Sequence, residues 1–280
     1  MINERAINFD KNRLSGVLTT AADADAAQPV FVLLNAGLLH KVGSFRMNVE
    51  IARALADQGV STFRFDLSRI GDSKSSNHSG DYQASVIHDI ACAFDELSKL
   101  TQAQKFVVVG LCTGADNAHR IAVADPRVCG AVFVDGYAYP TLKFRAKRLL
   151  SAVSSAPRLL KIIRDRLPFR AHSQSPITAN SEQAQFEWTL PPKLAVETEL
   201  ELLIDRGVQM LFIFTGAARG HYNYQQQMSD SFAGLDFGTC LTVRINSLAD
   251  HSFCLSSDRQ TLVADIIAWF SSNGQKKTDS

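Results

Sequence analysis

Six segments of this chain, residues 30–35, 61–67, 105–110, 128–134, 210–214 and 241–245, read as buried strands, most of them continuously apolar. Helical spacing recurs between them. Ser44 caps a pattern of Phe45, Val49, Ala52 and Leu55 that Gly59 ends, and Val86, Ile90, Phe94 and Leu97 mark a second helix. A third covers residues 113–124, and Leu262, Ile266 and Phe270 mark the last. Strands that alternate with helices require right-handed crossovers, so the expected architecture is α/β: a mostly parallel, twisted sheet covered by helices on both faces. Ahead of this rhythm, residues 6–20 read as two short strands around Asp10-Lys11-Asn12, followed by an Ala/Asp linker over residues 21–28.

The 280 residues, 46% of them hydrophobic, suit one core carrying an insertion better than two independent domains. Residues 140–200 break the alternation: no buried strand is evident, and Pro140, Pro157, Pro168, Pro176, Pro191 and Pro192 punctuate helical pieces. The expected division is a core of residues 1–139 and 201–280 with an inserted helical cap at 140–200. A net charge of +1, from 29 basic and 28 acidic residues, gives no reason to expect nucleic acid or an anionic membrane as partner. No segment reads as a signal peptide or a membrane span, so the expected location is cytoplasmic. Five scattered cysteines without CxxC spacing argue against a disulfide framework and against zinc, and point to reduced thiols packed in the core.

The sharpest local signal is VVVGLCTGA at residues 107–115, a buried strand running through G-x-C-x-G directly into a helix. Gly110 and Gly114 suit a turn so tight that side chains would collide there, and the residue between them is pushed outward. Cys112 would then lie at the positive end of the following helix, which favours thiolate and raises nucleophilicity. An average free cysteine is a small buried hydrophobe, and Cys92, Cys129, Cys240 and Cys254 are read that way; the flanking glycines set Cys112 apart.

On this motif the chain resembles the α/β-hydrolase superfamily, whose elbow is usually G-x-S-x-G, with cysteine in a minority such as the dienelactone hydrolases. Residues 66–73, DLSRIGDS, resemble the superfamily's D-x-R-G-x-G-x-S segment, and Asn35-Ala36-Gly37 stands where many members have His-Gly. More narrowly, GLCTGA, HKVGSFR and FRFDLSRIGDS resemble hydrolases associated with exosortase systems. The resemblance implies a base after the last strand, where Asp250-His251-Ser252-Phe253 lies, and so points to His251. Of the other histidines, only His221 comes near the right topological address, and His40 follows the oxyanion strand. The acid usually follows the strand at 210–214, but residues 215–223 contain no carboxylate. Asp135, after the preceding strand, is the preferred replacement, and Asn223 is the alternative orienting residue. Asp250 is read as structural, because neighbouring side chains on a loop rarely face each other. The oxyanion hole would take one N–H from Thr113 and one from Gly37 or Leu38.

The expected chemistry is acyl transfer on an ester or thioester through Cys112, His251 and Asp135, with a covalent acyl-enzyme, ending in hydrolysis or in transfer to another acceptor. No metal or organic cofactor is required. Basic residues dominate 143–170, which would suit an anionic carrier such as coenzyme A or an acyl carrier protein. The plainer explanation is a solvated helical face balanced by Glu197, Glu199 and Glu201. Leu149, Leu150, Val153, Leu159, Leu160 and Ile163 are expected to pack the cap onto the core or line an acyl pocket. A catalytically silent scaffold that binds an acyl ligand or partner protein is the alternative function. A dinucleotide-binding oxidoreductase is disfavoured, because the first strand-to-helix turn lacks G-x-G-x-x-G.

Overall fold

The structure is a computed structural model that describes residues 2–21, 27–75, 81–153 and 190–275. At its N-terminus β1 (Asn3–Phe9) and β2 (Leu14–Thr20) form an antiparallel hairpin. Asp10, Lys11 and Asn12 all take left-handed backbone angles in its turn. Asn and Asp tolerate that region better than most side chains. The remaining strands are β3 (Val30–Leu33), β4 (Thr62–Asp66), β5 (Phe106–Leu111), β6 (Val128–Val134), β7 (Gln209–Thr215) and β8 (Leu241–Asn246). The eight-stranded sheet runs in the order β1-β2-β4-β3-β5-β6-β7-β8, antiparallel at β1-β2 and β2-β4 and parallel from β4 to β8.

Period-two alternation along the strands builds two cores. Val30, Val32, Phe106, Val108, Ala131 and Phe133 face one side, where α2 (Tyr82–Thr101), α3 (Thr113–Ala124) and α5 (Lys193–Asp205) cover them. Phe31, Leu33, Val107, Val109, Val132 and Val134 face the other, under α1 (Met47–Ala56) and α6 (Ser256–Gln275). Each fully buried Phe or Leu contributes about 1.5–3 kcal/mol of transfer free energy, which makes both faces indispensable. All parallel strands end at one edge, where Leu111 lies opposite Val134, Val134 opposite Ile213, and Thr215 opposite Asn246. The segments that follow these strands therefore converge.

Three expectations change. Ser44 does not cap α1: its hydroxyl donates to Ser252 O at 2.9 Å, and Ser44–Arg46 is a 3-10 turn with Phe45 and Arg46 in the left-handed region. Phe45 is exposed as a result. The core–cap boundary at 200/201 falls inside α5, whose Val196, Leu200 and Leu203 are buried in the core. Within the expected cap, α4 (Leu142–Val153) leaves Leu149 and Leu150 exposed among the described residues; residues 154–189 lie outside them.

Candidate active site

Cys112 stands between β5 and α3 with φ 57° and ψ −123°. A non-glycine residue there is strained, and the surroundings hold it: its N–H donates to Val134 O at 2.9 Å and its carbonyl accepts from Ala115 N–H at 2.8 Å. The two glycines are steric requirements. A Cβ on Gly110 would collide with the Gly114 carbonyl, and one on Gly114 would lie 2.6 Å from Asn35 O, the end of the neighbouring strand segment.

His251 Nδ1–H donates to Asp135 Oδ2 at 2.8 Å, an assignment that follows because an ionised carboxylate can only accept. Asp135, itself at φ 48° and 3% exposed, also accepts from the Thr215 N–H and the Thr215 hydroxyl, both at 2.7 Å. The pKa of His251 is raised to about 10, first by its bond to Asp135 and then by a hydrogen bond to Cys112, against the opposing effect of burial. At neutral pH the ring is therefore an imidazolium, bonded to Asp135 and within electrostatic reach of Cys112. Phe253, fully buried with φ 54°, anchors the loop that carries the ring. Asp250 accepts from the N–H groups of Ser252 and Cys254, which shapes that same loop.

Asn223 is engaged elsewhere. Its amide donates to Phe144 O at 3.2 Å, toward α4, so the ring of His251 is held by Asp135 instead. Gly37 is also displaced from its expected role: its N–H donates to the Thr113 hydroxyl at 2.7 Å and is engaged. The Leu38 N–H and the Thr113 N–H make no hydrogen bond with any described residue, the latter because it opens a helix. Leu38 follows Gly37 directly, so this bond holds it beside the elbow.

No protein-family model matches the chain, and no curated protein matches it by sequence. Solved structures do match. A dienelactone hydrolase from Anabaena variabilis superposes with a TM-score of 0.58 at 15% identity, over 97% of this chain and 97% of its own. An esterase from Pyrococcus furiosus gives 0.59 at 12% identity over 97% and 90%, and alpha/beta hydrolase domain-containing protein 10 from mouse gives 0.53 at 14% over 96% and 99%. The chain has the α/β-hydrolase fold.

On this α/β-hydrolase fold Cys112, His251 and Asp135 meet at the edge where the parallel strands end, although 116 residues separate His251 from Asp135. Thr215 joins them without a clear sequence signal: all that marks it is a hydroxyl residue at the end of β7, where a carboxylate is sought. His221 lies within electrostatic reach of Asp135 and His251, with burial lowering its pKa. His119 is buried elsewhere, against Glu199 at 2.8 Å and Tyr137 at 3.2 Å. Glu199 therefore does not balance the basic face of α4. That face directs Lys143 and Lys147 over the Tyr224 ring, at 4.5 and 5.4 Å. All five cysteines are thiols, and Cys254 is exposed rather than packed in the core. Among the described residues no helix is long and apolar enough to cross a membrane.

The segment Asn35-Ala36, where the sequence departs from His-Gly, has its own structural logic. Asn35 Nδ2 donates to Leu39 O at 2.8 Å and Asp66 Oδ1 at 3.1 Å, and its Oδ1 accepts from Leu67 N–H at 2.9 Å. One side chain thus ties the end of β3 to the end of β4. His40, Asp66 and Asp72 bring together a donor set that could hold a cation. The Lys41 ammonium lies among them, 2.8 Å from Asp66 Oδ2 and 2.6 Å from Asp72 Oδ2.

Proposed function

We propose that this protein is an acyl hydrolase or acyltransferase acting on an ester or thioester through a covalent Cys112 acyl-enzyme. The observation that carries this reading is the His251 ring, bonded to Asp135 at 2.8 Å and within electrostatic reach of Cys112, which stands at a strained strand-to-helix turn. Cys112 Sγ attacks the carbonyl carbon, and negative charge gathers on the carbonyl oxygen. The Thr113 and Leu38 N–H groups are the donors available to stabilise it. Collapse breaks the bond to the leaving group, which takes the proton from His251 Nε2. His251, now neutral, deprotonates a water or another acceptor, whose attack releases the acyl group and restores Cys112. Asp135 keeps the ring in one tautomer and orientation throughout.

The basic residues of α4 would suit a carrier such as coenzyme A or an acyl carrier protein, although Lys143 and Lys147 already lie over Tyr224 and Lys143 pairs with Asp230 at 3.7 Å. Two features of the sequence favour a silent scaffold, the missing acid after β7 and the Asn35 departure, and Asp135 and the Asn35 bridge account for both. The test is turnover of p-nitrophenyl esters and acyl thioesters by wild type, Cys112→Ala and His251→Ala, with mass spectrometry for an adduct. Loss of turnover in both variants and an acyl mass on Cys112 are expected. No turnover and no adduct with any substrate would overturn the enzymatic reading in favour of the scaffold.

A further inference from the structure

Lys41 is only 5% exposed, an environment that lysine enters only when its charge is met, and the proposed mechanism does not use it. It stands three residues after Leu38, at the far end of the loop that leaves β3. The Lys41 N–H donates to Asp66 Oδ1 at 2.6 Å while its ammonium bonds Asp66 Oδ2 and Asp72 Oδ2. Asp66, fully buried, also accepts from Asn35 Nδ2 and from the Asp72 N–H at 3.1 Å each. His40 Nε2 lies 3.1 Å from the ammonium, and Asn48 Nδ2 donates to Lys41 O at 3.3 Å. One carboxylate thus holds both ends of the loop, through Asn35 at its start and Lys41 at its finish. Between these anchors Leu39 N–H closes a turn on Ala36 O at 3.0 Å, and Gly37 N–H is fastened to Thr113. Leu38, exposed and with an unengaged N–H, is what the clamp leaves presented beside the elbow.

We infer that Lys41 is a positioning residue: its buried ion pair with Asp66 and Asp72 fixes the loop so that the Leu38 N–H meets the developing oxyanion. The inference rests on the acyl-transfer reading above. A hydrogen bond to an oxyanion is effective only if the donor is already aimed, and a displacement of about 1 Å can lower a rate by roughly 100-fold. Alkylation of a thiol by iodoacetamide develops no oxyanion, so it reports on Cys112 and His251 without consulting Leu38.

The experiment compares wild type, Lys41→Met and Asp72→Asn in two assays: acylation by p-nitrophenyl acetate, followed through p-nitrophenol release and the acetyl mass, and the rate of Cys112 alkylation. Lys41→Met is expected to lower the acylation rate by about 10- to 100-fold, with KM within about twofold and the alkylation rate unchanged. Asp72 is exposed, so Asp72→Asn tests the same clamp in a variant whose fold is less at risk, and a smaller fall with the same split is expected. Acylation within twofold of wild type in both variants, or alkylation falling in step with acylation, would overturn the positioning role. A wild-type protein that is neither acylated nor alkylated at Cys112 would instead defeat the acyl-transfer reading, and the clamp's role with it.

Discussion

Asp135→Asn is the perturbation that bears most directly on the line from carboxylate to thiol. The buried Asp135 accepts three hydrogen bonds, two from Thr215 and one from His251. An asparagine of the same shape can retain the acceptor facing the Thr215 N–H, but the other position becomes an NH2 group. That group meets the His251 Nδ1–H donor to donor, so the ring gives up its Nδ1 proton and its charge and keeps only the proton on Nε2. The neutral ring no longer stabilises a thiolate on Cys112, so less of the nucleophile is ionised for attack. A charge-assisted hydrogen bond contributes roughly 1.5–3 kcal/mol, which corresponds to about 10- to 150-fold. In a serine-protease triad the wrong tautomer alone costs about 10,000-fold in kcat. For Asp135→Asn the expected fall in kcat/KM is therefore about 10- to 10,000-fold, carried by kcat, in steady-state ester hydrolysis. The same variant should lose a pH-dependent part of its stability. His251 has a folded-state pKa raised to about 10, so its pairing with Asp135 stabilises the fold below the unfolded value of about 6.5 and is lost as pH rises through 10. With 47% of the side chain exposed, solvent screens much of that contribution. Denaturant titrations should show the wild-type advantage at about pH 6 shrinking toward about pH 10. Activity within about threefold of wild type, together with a pH-independent stability difference, would refute the role given to Asp135.

Two further substitutions separate neighbouring ideas. Asn223→Ala removes the bond to Phe144 and should cost about 1 kcal/mol in chemical denaturation, while the pH profile of ester hydrolysis stays at that of wild type. A displaced profile would return Asn223 to the catalytic line. Gly110→Ala places a methyl against the Gly114 carbonyl at the elbow and should lower stability by about 3 kcal/mol or more, read as a fall in melting temperature; an unchanged melting temperature would contradict the packing of the turn.

The elements most legible in sequence are those whose signal is local. The runs that form β5, β6 and β7 are unmistakably buried strands, and their flanking helices keep the 3.6-residue spacing. G-x-C-x-G is legible for the same reason, since Gly110 and Gly114 answer to steric demands close by along the chain and at the end of one neighbouring strand. The start of α1 is not legible, because Ser44 finds its partner 208 residues away. Lys41 lies within the HKVGSFR motif, but nothing local marks its role: a single lysine in a loop looks solvated until Asp66 and Asp72, at and just after the end of β4, surround it.

The alternation of strand and helix, the sharp turn that carries Cys112 and the placement of His251 after the last strand all follow from the chain read linearly, because periodicity, glycine sterics and chain order are properties of contiguous residues. That Asp135 rather than Asn223 meets the His251 ring, and that Thr113 engages Gly37 and leaves the Leu38 N–H presented, is decided in three dimensions alone. Those outcomes depend on hydrogen bonds between residues 116 and 76 positions apart along the chain, with partners chosen by how neighbouring strands end at one edge of the sheet.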